Sequence, residues 1–291
     1  MTNKSRHSEE AWLYEISSKR KLIDLNFKEI WRYRDLLTLF VRRDIVATYK
    51  QTILGPLWYL IQPLFTSVIF TLVFNNLGNI QTGGVPPFLF NLAGITAWNY
   101  FKQSLTSTAG TFRANAGMFG KVYFPRVIVP LSKVTSNLFK FSIQFLIFLF
   151  FFGYYRYSGA EISFGPTIWL FPVYILIMAM FGLGVGMLIS SLTTKYRDFS
   201  VLLGFAVNLL MYLSAVPYPL NEAREKLPDI AVDFVVYNPL AQLIEGFRYM
   251  LLNTGDFSWN GFAYVLVLSV GLFLLGLIVF NRTEKNFIDT V

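Results

Sequence analysis

Cations dominate the residues able to do chemistry. The 291-residue chain carries 25 Lys+Arg against 17 Asp+Glu, a formal net charge of +8. Two of these cations, Lys102 and Lys140, fall inside apolar runs, near the charged ends. A lysine so placed either snorkels its ammonium to the membrane surface or joins a basic collar around the entrance for an anion. Arg42, Arg43 and Lys50 come just before the longest uncharged stretch, where positive charge marks the cytoplasmic end of a span. Acidic residues suited to acid–base or metal chemistry gather in one place, at Glu222, Glu225, Asp229 and Asp233. They are interleaved there with Arg224 and Lys226, which reads as a solvated charged helix. A membrane-embedded glycan transferase or polymerase would need that cluster and stands as the rival reading. There is no cysteine, and the single histidine, His7, has no neighbouring ligands, so no metal site is expected. The nearest approach to a phosphate-binding loop is "NAGMFGKV", Asn115 to Val122. Asn115 replaces its first glycine and Val122 the Mg²⁺-binding hydroxyl, so no nucleotide site is expected on this chain.

The elements that must position these cations are membrane helices. Hydrophobic residues make up 54% of the chain and charged residues only 14%, well below the usual one quarter of a soluble domain. The positive charge collects at the ends of apolar segments. That pattern reads as topology and contact with anionic lipid, and not as nucleic-acid binding. The first fifty residues are polar and charged, so no secretory signal is expected.

No charged residue occurs from Gln51 to Phe101, which is too long for one span. The turn-rich "NNLGNIQTGGVPP" breaks this stretch into a hairpin, with spans expected near 57–74 and 88–108. Further spans are expected near 135–155, 167–190, 200–216 and 258–280. The expected fold is thus all-α, with six transmembrane helices. Residues 217–256 turn amphipathic after a polar start, and Asn238-Pro239 divides them. They read as two short re-entrant helices. Before the first span, Ile45, Tyr49 and Ile53 share one helical face, so 35–55 is expected to lie on the membrane surface as an amphipathic helix. The chain then divides into a tail at 1–34, a transmembrane domain at 35–291 and a last short tail at 281–291. Lys and Arg number 21 on the side of both termini and 4 on the other. Both termini are therefore expected in the cytoplasm, with 217–256 outside.

Residues 109–133 form the longest expected cytoplasmic loop between spans. Phe112, Arg113, Met118, Phe119, Lys121, Tyr123, Phe124 and Arg126 give it an aromatic-basic character that calls for a cover, such as a docked partner. An ordinary positive-inside loop is the plainer alternative. Gly182 and Gly186, four apart, read as a helix-packing pair. Aromatic residues near span ends, among them Trp12, Trp98, Trp169 and Tyr174, fit interface belts. Inside the spans, Trp58, Tyr59, Gln62, Phe65, Trp98, Asn99 and Lys102 are candidates to line a channel for sugars.

Three stretches, "YKQTILGPLWYLIQP", "NAGMFGKVYFPRVIVPLS" and "NPLAQLIEGFRYMLL", resemble the membrane subunits of bacterial ABC-2 type polysaccharide exporters. The resemblance runs from about Asp35 to Arg282. It implies a cytoplasmic amphipathic helix, six spans and two re-entrant helices. It also implies a homodimeric pore in the inner membrane and two copies of a separate ATPase, which binds ATP and Mg²⁺. Phe112 to Arg126 would be the coupling segment, and Leu54-Gly55 a kink at the entrance. The cargo implied is a lipid-linked glycan. O-antigen fits best, with teichoic acid, capsule, or a small lipid or drug as alternatives.

The hinge reading of Arg42, Arg43, Tyr49, Lys50, Leu54, Gly55 and Pro56 follows from local chemistry as well. Proline is tolerated in the first turn of a helix, and glycine gives a permissive joint before it. Pro63 would kink the first span. Gly55→Val or Gly55→Leu should reduce export while membrane insertion and ATPase association persist. Full export in either variant would return the stretch to a plain anchor.

Overall fold

The computed structural model describes residues 27–50, 55–196, 198–226 and 228–287. Among these there is no strand. Helices α1 (Phe27–Arg32) and α2 (Arg34–Tyr49) come first. A 3-10 turn at Gly55–Leu57 leads into α3 (Trp58–Phe70), which widens into a π-helix over Thr71–Leu77. Gly55 has φ +48°, in the region where a β-branched side chain is strained. Pro63 sits inside α3 and has no N–H to give to the Tyr59 carbonyl, the local source of irregularity there.

The remaining helices are α4 (Pro87–Ala109), α5 (Thr111–Phe119), α6 (Ile128–Tyr157), α7 (Phe171–Thr193) and α8 (Phe199–Leu213), then α9 (Leu220–Lys226), α10 (Asp229–Val236), α11 (Pro239–Leu252) and α12 (Trp259–Phe287). The segment at 217–256 thus forms three short helices. Its polar start, where the interleaved charges at 222–226 read as a charged helix, makes α9, a helix beyond the two expected there.

Among the described residues, four helical stretches are long and apolar enough to cross a membrane: Trp58–Leu77, Ile128–Tyr157, Ile168–Thr193 and Trp259–Glu284. Helix α4 has the length but a more polar composition. Sixteen of its 23 residues are buried by neighbouring helices, so it has little face to offer to lipid. Helix α8 is apolar but only 15 residues long.

Close approach organises the bundle. Gly182 and Gly186 put the backbone of α7 against α4. A Cβ on Gly186 would lie 2.6 Å from the Thr108 Cβ, and one on Gly182 3.0 Å from the Ser104 Cβ. Gly184, two residues away and so on another face of α7, admits α12. A Cβ there would lie 2.7 Å from the Leu272 carbonyl carbon, and Gly276 answers it across the contact. Helices α3 and α4 are stapled by buried amides: Asn91 Nδ2 donates to Asn75 Oδ1 at 2.8 Å and to Thr71 Oγ1 at 3.1 Å.

One end of the bundle is locked by Arg248 of α11, which is fully buried. Its Nη1 donates to the carbonyls of Ala215 (2.9 Å) and Tyr218 (3.3 Å), and its Nη2 to that of Val216. These carbonyls follow the C-terminus of α8, where the chain reverses. The guanidinium also lies 3.8 Å from the centre of the Phe90 ring, and Gly94 makes room for it. Glu245, 3.8 Å away, supplies the counter-charge. Burial pushes the Glu245 carboxyl up and the Arg248 guanidinium down, and each charge opposes the other's shift. Arg248, one of the four Lys and Arg residues expected on the outer side, is thus an internal cap. Tyr174 and Trp98, expected in interface belts, are also core residues, at 3% and 2% exposure. Trp169 is exposed as expected, beside Trp259.

Gly186→Leu should lower the melting temperature in detergent, because overpacking a closed contact costs about 1–3 kcal/mol. Gly153, on the open side of α6, has nothing within 4 Å of a built Cβ. Gly153→Ala should therefore be neutral or stabilising, by up to about 1 kcal/mol from helix propensity alone.

Candidate functional site

The end of the bundle opposite Arg248 gathers α2, α5 and the C-terminal part of α12. Phe112 is fully buried and stacks on Phe280 at 4.4 Å. Phe119 meets Phe112 and Phe124 at 6.0 Å each, and Phe124 meets Phe40 of α2 at 5.8 Å. The Phe112 N–H donates to Ser190 Oγ of α7 at 3.3 Å. Arg126 is 5% exposed. Its Nη1 donates to the Glu284 carbonyl at 2.8 Å, and its Nε lies 3.8 Å from the Glu284 carboxylate. Burial lowers the Arg126 guanidinium and Glu284 opposes the shift.

The cover that sequence analysis sought for this aromatic cluster is therefore partly the protein itself. Phe112, Phe119, Phe124 and Arg126 face inward. Arg113, Lys121 and Tyr123 face outward together with Val122, and Met118 is half-buried. An exposed basic-aromatic pad thus sits on a buried aromatic base.

Beside this hub, two adjoining cavities open between α2, α3, α4 and α6. The larger, about 470 Å³, has Tyr59 and Gln62 on one wall. Helix α4 adds Asn99, Lys102, Gln103, Thr106 and Ser107, and α6 adds Asn137 and Lys140. The smaller, about 270 Å³, shares Ser107, Asn137 and Lys140 with it and adds Asp44, Ala47, Lys133 and Ser136. Lys140 Nζ lies 5.3 Å from the centre of the Tyr59 ring. Asn137 Nδ2 donates to Ser107 Oγ at 3.0 Å, which braces the shared wall.

Four of the expected channel residues, Tyr59, Gln62, Asn99 and Lys102, thus meet in one place. Trp58 and Phe65 lie exposed on α3 outside the cavity, and Trp98 packs on Phe101 in the core. The cavity cations are Lys102, Lys133 and Lys140, not Arg42, Arg43 or Lys50. Arg43 instead bonds Asp44 at 3.0 Å and lies 4.6 Å from the centre of the Phe40 ring. Arg42 and Lys50 are exposed. Leu54 and the side chains of Tyr49 and Pro56 lie outside the described residues. Sequence reasoning missed Asp44 and Lys133, which pair at 2.9 Å and tie α2 to α6. Two opposite charges in helices far apart in sequence carry no local signal of their pairing.

Of the acidic residues at 222–233, Glu222 is half-buried at the far end of the bundle, Glu225 and Asp233 are exposed, and the side chain of Asp229 lies outside the described residues. Glu222 bonds Lys226 at 2.6 Å and accepts the Gln81 N–H at 3.3 Å. The bond from Lys226 is the first cause that holds its carboxyl below the usual range.

The ABC-2 type transporter model matches residues 35–252. The chain is 27% identical over 258 residues to an O-antigen export system permease protein, RfbA, of Klebsiella pneumoniae, covering 88% of this chain and 94% of that one. The RfbA permease of Myxococcus xanthus is 25% identical over 266 residues, 91% of this chain and 98% of its own length. The capsule polysaccharide export inner-membrane protein CtrC of Neisseria meningitidis serogroup A is 22% identical over 251 residues, 84% and 89% of the two chains. With an all-helical bundle and four apolar membrane-length helices among its described residues, and a family match over most of its length, the chain belongs to the ABC-2 type transporter membrane family.

Proposed function

We propose that this chain is the channel-forming subunit of an ATP-driven exporter that moves a lipid-linked polysaccharide, O-antigen first among the candidates, across the inner membrane. Two copies work with two copies of a separate ATPase. One observation carries the reading: α5 and the turn after it present an exposed pad while their buried aromatics grip α2, α7 and α12 at once. A push on that pad moves a packed unit and is not absorbed by a loose loop. The likeness to O-antigen and capsule permeases supports the cargo class.

In this reading α3, α4, α6, α7, α8 and α12 are the six spans. Helix α4 crosses inside a sheath of its neighbours, and α9–α11 form the outer hairpin. Both termini face the cytoplasm, on the side of the pad. The chain itself breaks no bond; ATP and Mg²⁺ are held by the partner. A permease for a small lipid or drug shares this fold and remains the second reading on family grounds alone.

Deletion of the gene should abolish surface polysaccharide and leave drug resistance unchanged. The reverse pattern would favour the second reading. The double variant Lys121→Glu/Tyr123→Ala should keep its melting temperature yet weaken co-purification with the ATPase about tenfold, as expected when roughly 1.4 kcal/mol of interface contact is lost. Wild-type co-purification in that variant would remove the pad from the docking role.

A further inference from the structure

We propose that the two adjoining cavities form one binding site for a phosphate or diphosphate headgroup borne on a lipid, with Asp44 as its resident counter-charge. The identity of the cargo rests on the exporter reading above; the anion chemistry stands on the residues themselves. Three ammonium groups, Lys102, Lys133 and Lys140, line the two lobes against one carboxylate, Asp44. Asp44 is committed to Lys133 at 2.9 Å and to Arg43 at 3.0 Å. Among the described residues no carboxylate lies within ion-pair distance of Lys102 or Lys140.

Uncompensated cations facing a polar void inside an apolar bundle favour a multiply charged anion. Snorkelling alone does not account for Lys140, whose Nζ lies over the Tyr59 ring, a wall of the cavity. The lipid attachment follows from α3. Trp58, Gln62 and Phe65 are spaced four and three residues apart and share one face. Trp58 and Phe65 are 54% and 65% exposed, so a headgroup seated at Gln62 leaves its hydrocarbon chain along an apolar ridge.

An anion that takes Lys133 displaces Asp44 and removes the ion pair between α2 and α6. Occupancy of the site is thereby coupled to the hold on the surface helix.

The test uses the purified full-length chain in phosphatidylcholine nanodiscs, titrated calorimetrically with farnesyl diphosphate. A second arm places phosphatidylglycerol in the bilayer. Lys102→Gln/Lys140→Gln should weaken farnesyl diphosphate binding at least about tenfold, since two charge-assisted contacts are lost. Lys195→Gln, at the exposed turn after α7, should change nothing. Asp44→Asn should tighten binding severalfold, because Lys133 is released. Unchanged elution and melting of each variant establish folding. Phosphatidylglycerol that competes through the same two lysines, or binds there where farnesyl diphosphate does not, supports the anion site and assigns its source to the bilayer. Farnesyl diphosphate binding undisturbed by phosphatidylglycerol assigns the source to the cargo. Binding of neither probe, or binding untouched by the double lysine variant, overturns the site; an unchanged affinity in Asp44→Asn overturns the counter-charge. None of these results depends on export, so a failed site and a failed exporter reading are told apart by surface polysaccharide in the deletion strain.

Discussion

Helix α7 is held by contact at backbone distance on two faces, and the arrangement of the bundle follows from that. In lipid, apolar side chains gain little by leaving one hydrocarbon environment for another, so helix association relies on close van der Waals packing. Gly182 and Gly186 supply it toward α4, and Gly184 with Gly276 supplies it toward α12. The consequence for α4 is decisive. Surrounded by α3, α6, α7 and α11, it has little lipid-facing surface to keep apolar, and so it can carry Asn91, Asn99, Lys102 and Gln103. The polar cavity opens on the face of α4 that its neighbours leave partly uncovered, where Asn99, Lys102, Gln103, Thr106 and Ser107 stand.

The two ends of the bundle are built by different physics. At the Arg248 end, a buried charge satisfies three backbone carbonyls at a chain reversal, with Glu245 alongside. Removing one member of such a group leaves the other buried and unpaired, which is strongly destabilising. At the other end, aromatic rings from α2, α5 and α12 make a cluster of edge and stacked contacts, pinned by Arg126. That cluster is anchored on several helices and yet presents Arg113, Lys121 and Tyr123 outward.

Much of this was legible in the residues, though unevenly. Gly182 and Gly186 stand at a spacing that announces packing, whereas Gly184 owes its meaning to Gly276, far away in sequence. Lys102 and Lys140 are conspicuous as charges in apolar runs, but that they share one void depends on how α4 and α6 face each other. Arg248 looks like an ordinary outer-side charge until the carbonyls of residues 215, 216 and 218 are placed around it. Tyr174 stands near the start of α7 and is buried because other helices cover that end, whereas Trp98 stands at the middle of α4 and is buried by the helices that wrap it. The charges at 222–226 suggest a helix, but that α9 buries Leu220 and Ala223 and bonds the 79–81 turn depends on the packing around it.

Taken by itself, the sequence determined the class of the protein: a helical membrane bundle, its turns, its charge asymmetry and a basic-aromatic segment between the second and third expected spans. Those features are local, because span length, Gly/Pro punctuation and Lys/Arg placement are each written within about twenty residues. Only the tertiary structure decided which faces meet. It put Phe112 inward and Tyr123 outward, joined Asp44 to Lys133, and set Lys102 and Lys140 on one cavity. In an apolar solvent most faces of a hydrophobic helix look alike, so the choice among them falls to shape, buried hydrogen bonds and ion pairs between residues distant in the chain.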